Sequence, residues 1–163
     1  MNQSQMLLIL GALVMFSFLT LNAHRTVLIA SQMRMDSEYV ITAAEVAESM
    51  INEVKNKAFD EQTVAQDIFS ENELSAVLGP DSGETPSTYD DIDDYITDGE
   101  INTARIISTP RVGSYNVSIT VVYVNPAAPG QVTVSATRMK RIRVTVSSAR
   151  LLIPLRLDYF ASY

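Results

Sequence analysis

Between Met6 and Ala23 the chain runs through 18 residues, MLLILGALVMFSFLTLNA, without a charge. Wound as an α-helix, that stretch is close to the roughly 20 residues that cross the hydrocarbon core of a bilayer. It is apolar all round, so it has to be covered by lipid, by other helices or by the interior of a large protein. A chain of 163 residues makes about one ordinary domain, too little to enclose it. The apolar character extends past His24 and Arg25 through TVLIA, to residue 30. A cleaved secretory signal would show a basic n-region and a small-x-small site followed by a change of composition. Neither is evident, so the segment is expected to stay with the mature chain.

The helix is expected to continue, because EYVITAAEVAESMINEVKNKAF contains neither Gly nor Pro and keeps a helical period. Tyr39, Ala43, Val46, Met50 and Val54 fall on one stripe, and Glu45, Glu48, Asn52 and Lys55 lie elsewhere on the surface. At 1.5 Å per residue, a single helix of more than 50 residues would be about 80 Å long. This suggests a division into residues 1–58, a long helix with an apolar half at 6–30 and an amphipathic half at 36–58, and residues 59–163, a globular head. An ordinary single-span anchor with a juxtamembrane helix is the plainer alternative.

Composition narrows the chemistry. There is no cysteine, which removes disulfides, thiolate zinc sites and cysteine nucleophiles together. The one histidine, His24, lies beside the apolar run, so a histidine triad or multi-histidine metal site in the soluble part is excluded. No enzyme active site is expected. The net charge of −7 divides along the chain: Ala58 to Glu100 holds 13 acidic residues and no Lys or Arg, whereas Ile101 to Tyr163 holds 8 basic residues and only Asp158 as acid. Such opposite charges can meet within one fold or between neighbouring copies.

The head reads as an acidic loop over 59–103, with a short helix near Thr63 to Phe69, followed by a sheet over 104–163. In LGPDSGETPSTYDDIDDYITDGE the Gly, Pro, Ser and Asp residues mark turns. Tyr115, Val117, Ile119, Val121 and Tyr123 then alternate with Asn116, Ser118, Thr120 and Val122, the pattern of a strand buried on one face. After the turn NPAAPG come QVTVSA and MKRIRVTVS; in the latter Ile142, Val144 and Val146 oppose Arg141, Arg143 and Thr145. LLIPLRLDYF makes a last strand, which Pro154 assigns to an edge, and ARIIS at 104–108 a shorter one. The expected fold is α+β, with the long N-terminal helix packed against an antiparallel sheet of about four strands, since a sheet must bury its apolar side against another layer.

With these elements in place the chain resembles the type IV pilins and the related pseudopilins of type II secretion. Three stretches carry the resemblance besides the helix. TYDDIDDYITDG is similar to the Asp-rich loop before the sheet, YNVSITVVYVNP to the central strand, and TRMKRIRVTVSS to the basic-hydrophobic strand that follows. The resemblance implies a structural subunit of a type IV pilus-like extracellular filament that polymerises through its apolar helix. Its core positions would be Gln5, Leu7, Leu8, Leu10, Leu13, Val14, Phe16, Phe18 and Leu21. The alternative it implies is a non-polymerising, membrane-anchored minor pilin or pseudopilin of a secretion or DNA-uptake machine. The implied partners are copies of itself, the inner membrane before assembly, and the pilus or secretion assembly machinery. The implied location is the surface of a prokaryotic cell, reached through the inner membrane as a single-span precursor. Pilin precursors carry a short basic leader, which is not among these residues. Counted from Met1, Gln5 stands where the family places a glutamate, and a neutral amide can accept a hydrogen bond from a buried ammonium without cancelling its charge. Arg25 and Arg34 both follow the span, which does not favour an N-in orientation.

Two further groups of residues are candidate sites. Asp90, Asp91, Asp93, Asp94, Asp98 and Glu100 place six carboxylates within eleven residues, enough for a hard cation such as Ca²⁺ in a spacing that fits no EF-hand. The plainer reading is a solvated acidic loop facing the basic strand. Arg138, Lys140, Arg141 and Arg143 are the basic counterpart. They could contact phosphates, but no aromatic residue is interleaved to stack on bases, so charge pairing is expected and nucleic acid is not. Ca²⁺ apart, no cofactor is implied.

Overall fold

The computed structural model describes residues 2–96 and 105–163. The fold is α+β, with a 52-residue helix α1 (Gln3–Val54) followed by a short α2 (Glu61–Ala65), two single 3₁₀ turns (Glu71–Glu73 and Asp93–Tyr95) and five strands. The strands are β1 (Arg105–Thr109), β2 (Gly113–Asn125), β3 (Ala128–Val132), β4 (Met139–Ser147) and β5 (Leu155–Ser162). They form one antiparallel sheet in the order β1-β2-β4-β5, with β3 paired to the far end of β2. The chain divides into two compact units, Met1–Glu38 and Tyr39–Tyr163, so the boundary falls inside α1.

No described residue of the first unit is buried. In the second unit Ala43, Val46, Ala47, Met50, Ile51 and Val54 share one core with the inward residues of β2 and β4: Tyr115, Val117, Ile119, Val121 and Tyr123, then Ile142, Val144 and Val146. Each aliphatic side chain buried there is worth about 1.5–3 kcal/mol relative to exposure. Tyr39 is half-buried, and its carbonyl accepts a hydrogen bond from Tyr115 Oη at 3.1 Å. Further along, Arg105 of β1 bonds Glu53 at 3.2 Å and lies 5.6 Å from the centre of the Tyr95 ring. The helical segment therefore enters the sheet near the start of β2, and the chain that leaves it reaches the opposite end of β2 through Phe59 and Asp60.

Three details differ from the expectation. The sheet has five strands, because β3 is a short hairpin partner of β2 across a turn at Pro126-Ala127, where Asn125 Oδ1 accepts from the Ala127 amide at 2.9 Å. The strand expected over QVTVSA thus begins earlier and stops at Val132. The short helix lies at Glu61–Ala65 rather than Thr63 to Phe69, because Asp60 caps it: its carboxylate accepts from Gln62 N, and Thr63 Oγ1 accepts from Asp60 N. β5 starts only after Pro154, at Leu155 and not at Leu151, and lies on the edge expected for it.

Candidate functional site

Two features stand out: apolar side chains that no described residue covers, and charged side chains that are buried. The first lies in Met1–Glu38. An 18-residue window of α1 has a mean hydropathy of 2.2 and no buried residue. Leu7, Leu8, Leu10, Leu13, Val14, Phe16, Phe18 and Leu21 each leave more than half of their surface open, and Gln5 is exposed, its Oε1 accepting from Asn2 N at 3.3 Å. The polar residues within Met6 to Ala23 satisfy their donors inside the helix. Ser17 Oγ donates to Leu13 O, Thr20 Oγ1 to Phe16 O and Asn22 Nδ2 to Phe18 O, at 2.8, 2.8 and 3.0 Å. Such bonding back to the preceding turn removes the main cost of placing these side chains against hydrocarbon or packed helices.

The second feature lies in Tyr39–Tyr163. Lys140 and Asp60 are wholly buried, and Asp91, Asp93 and Asp94 nearly so. Lys140 Nζ donates to Asp60 Oδ2 at 2.9 Å, to Phe59 O at 2.7 Å and to Asp93 Oδ1, and sits 4.8 and 5.1 Å from the Phe59 and Tyr123 ring centres. Asp60 also accepts from Tyr123 Oη at 2.8 Å and from Ser75 N and Oγ at 3.0 and 2.8 Å. One lysine therefore ties β4 to β2, to the segment after α1 and to the turn at Asp93, and Asp60 carries the link on to Ser75. A parallel bridge between Ala58 and Asp91 adds backbone bonds from Ala58 N to Asp90 O and from Ile92 N to Ala58 O, both 3.0 Å.

The electrostatics follow from burial and from the ratio of charges. Burial raises the Asp60 carboxyl, but the attraction of Lys140 and the bonds from Lys140, Ser75 and Tyr123 outweigh it and hold the group below the usual carboxylate range. Asp93 is raised by burial, against the pull of Lys140. Asp91, buried and beside the charges of Asp93 and Asp94, is pushed up to about 8. It keeps its proton over most of the neutral range while Oδ1 accepts from Asp93 N and Asp94 N at 2.8 and 3.1 Å. Closed off from solvent, the cluster fastens segments to one another and offers no surface to a substrate.

The acidic loop is thus not a solvated run. Asp91, Asp93 and Asp94 point inward, Asp90 is exposed, and Asp98 and Glu100 lie outside the described residues. The carboxylates that converge are those of Glu84, Asp90 and Asp94, with oxygens within 4.8 Å of one another. Two of the three already accept from the chain: Asp94 Oδ2 from Asp90 N and Asp91 N, and Glu84 Oε2 from Asp81 N. The four basic residues do not form one patch either. Lys140 is inside; Arg143 lies on the outer face in a two-point bond with Asp158 at 2.7 and 2.8 Å; Arg138 donates to Phe69 O; and Arg141, also on the outer face, keeps a buried Nε without a hydrogen-bond partner among the described residues.

No family model matches the chain, and neither a curated protein nor a solved structure does.

Two of the residues that organise the cluster carry a signal in the sequence. Period-two alternation assigns Ile142, Val144 and Val146 to the buried face, and the same parity assigns Lys140 to it, which demands a buried partner. Asp60 and Thr63 have the spacing of a capping pair ahead of a short helix. Ser75 has no such mark; only the tertiary fold brings it to Asp60.

Proposed function

We propose that this chain is a structural subunit, without catalytic activity of its own, of a type IV pilus-like extracellular filament, inserted in a membrane before assembly and polymerising through the apolar part of α1. The observation that carries the reading is a helical segment of mean hydropathy 2.2 with no buried residue, continuous in sequence with a folded α+β domain that has its own core. The free energy that keeps such a segment out of water is about 25 cal/mol for each Å² of apolar surface. Lipid can supply that cover first, and neighbouring copies of the helix afterwards, where packing and helix-helix contacts replace lipid. Back-bonded Ser17, Thr20 and Asn22 suit either surrounding. The resemblance of the loop and strands to pilin-like sequences, and an architecture compatible with theirs, give the filament reading its specific form.

The same observation, an uncovered apolar span beside a domain with its own core, also fits a second reading, a membrane-anchored accessory subunit that does not polymerise extensively. Electron microscopy of material sheared from producing cells separates the two. Filaments labelled by antibody to this chain are expected; detergent-extractable monomers alone would overturn polymerisation. Mass spectrometry of the N-terminal peptide then reports the start residue and any methylation.

A further inference from the structure

The loop between β4 and β5 carries the most exposed adjacent aliphatic pair among the described residues of the second unit. Leu152 is fully exposed and Ile153 is 78% exposed, whereas the residues on either side, Leu151 and Leu155, pack against the core. The loop is held in that shape by a turn in which Leu151 N donates to Ser148 O at 3.1 Å, and by Pro154, whose ring fixes the backbone angle before β5. Isolated exposed aliphatics are ordinary on a protein surface. An adjacent pair displayed at a tip, with inward anchors on both sides, is a different matter.

Register locates this tip. Ser147, the last residue of β4, pairs with Asn116, next to Tyr115, the residue that bonds the Tyr39 carbonyl. The loop therefore lies at the end of the domain where the chain enters it. Ile106, 69% exposed, pairs with Asn116 from the other side. Two strand spacings put its backbone about 10 Å from that of Ser147. Arg150 and Arg156 flank the pair and are exposed, and the nearby carboxylate, Asp158, is engaged by Arg143.

We propose that Leu152 and Ile153, with Arg150 and Arg156 beside them, seat the domain on the lipid surface of the membrane that holds the apolar segment. Two aliphatic side chains reach the boundary of the acyl chains, and the guanidinium groups meet anionic phosphates, the chemistry by which peripheral apolar-basic elements hold to membranes. The inference rests on the membrane reading of α1, and its test separates the two. The chain has no cysteine, so full-length Leu152→Cys, Phe16→Cys and Val134→Cys variants can each carry one nitrobenzoxadiazole probe in vesicles of phosphatidylcholine and phosphatidylglycerol. Val134 is also fully exposed, but lies in the β3–β4 connection at the opposite end of β2. The expected result is a blue-shifted Leu152 probe, quenched by lipids spin-labelled near the headgroup several-fold more than the Val134 probe, with the difference reduced by Arg150→Glu. A Leu152 probe that matches Val134 while the Phe16 probe is quenched by deep spin labels overturns the seating and leaves the membrane reading standing. An unquenched Phe16 probe overturns both. Protection of the Leu152 probe that follows protein density rather than spin-labelled lipid assigns the tip to a second copy and overturns the proposal.

Discussion

One unit of this molecule exposes what proteins usually bury, and the other buries what they usually expose. In Met1–Glu38 leucine and phenylalanine side chains stand open along a helix. In Tyr39–Tyr163 one lysine and four aspartates are enclosed. Each arrangement is unfavourable by itself, and the difference lies in where the compensation comes from. The enclosed charges find it within the chain, through mutual attraction, hydrogen bonds and a retained proton on Asp91. The open aliphatics find none among the described residues.

The strongest way to break that contrast is to remove the internal compensation. Lys140→Ala leaves Asp60 and Asp93 buried without their cation and is expected to destabilise the domain by about 3–5 kcal/mol, read from chemical unfolding of the full chain in detergent. A change of less than about 1 kcal/mol would mean that the cluster is hydrated or already neutral.

Truncating equivalent apolar side chains in the two parts of α1 sharpens the contrast. Met50→Ala, in the shared core, should lower stability by about 2–5 kcal/mol. Leu13→Ala should leave unfolding of the domain within about 0.5 kcal/mol and instead weaken membrane insertion or assembly. Equal effects of both on domain unfolding would show that the two units are not energetically separate.

Protons supply a smaller effect with a definite sign. Asp91 and Asp93 are raised in the fold, so the native state binds more protons than the unfolded chain above the ordinary aspartate range. Their contribution is present at low pH and is lost as pH rises above the ordinary aspartate value of 3.8, for Asp91 through about 8. Asp60, held low, acts the other way: its contribution is present above the ordinary aspartate value of 3.8 and is lost as pH falls below it. The unfolding midpoint should therefore fall between about pH 5 and about pH 9. Asp91→Asn, which keeps the Oδ1 acceptor for Asp93 N and Asp94 N, should flatten that slope; an unchanged slope would assign it to another group.

The smallest effect is expected from calcium. The carboxylate oxygens of Asp94 and Glu84 already accept backbone donors, so the melting temperature should be the same with calcium as with a chelator. A rise of several degrees would make the Glu84–Asp90–Asp94 group a cation site.

Much of the architecture was legible before any coordinates because it rests on periodicity. A charge-free run, a 3.6-residue stripe and period-two alternation specify α1, β2 and β4 through backbone geometry alone. Strand β3 was less legible, since Pro129 and Gly130 within it carry no alternation. The acidic run misled for a related reason: its charge density reads as a solvated loop, and nothing local tells which carboxylates turn inward. That depends on partners 47 and 80 residues away, Asp93 and Asp60 both closing on Lys140.

By itself, then, the sequence determined a long apolar helix and, C-terminal to it, an antiparallel sheet with one apolar face, because both follow from side-chain spacing along a regular backbone. Only the tertiary structure decided that Lys140 belongs to the core and not to a basic surface, and that Leu152 and Ile153 stand out beside the point of entry. Those facts depend on which distant segments meet, and a burial energy or an ion pair is defined only once they do.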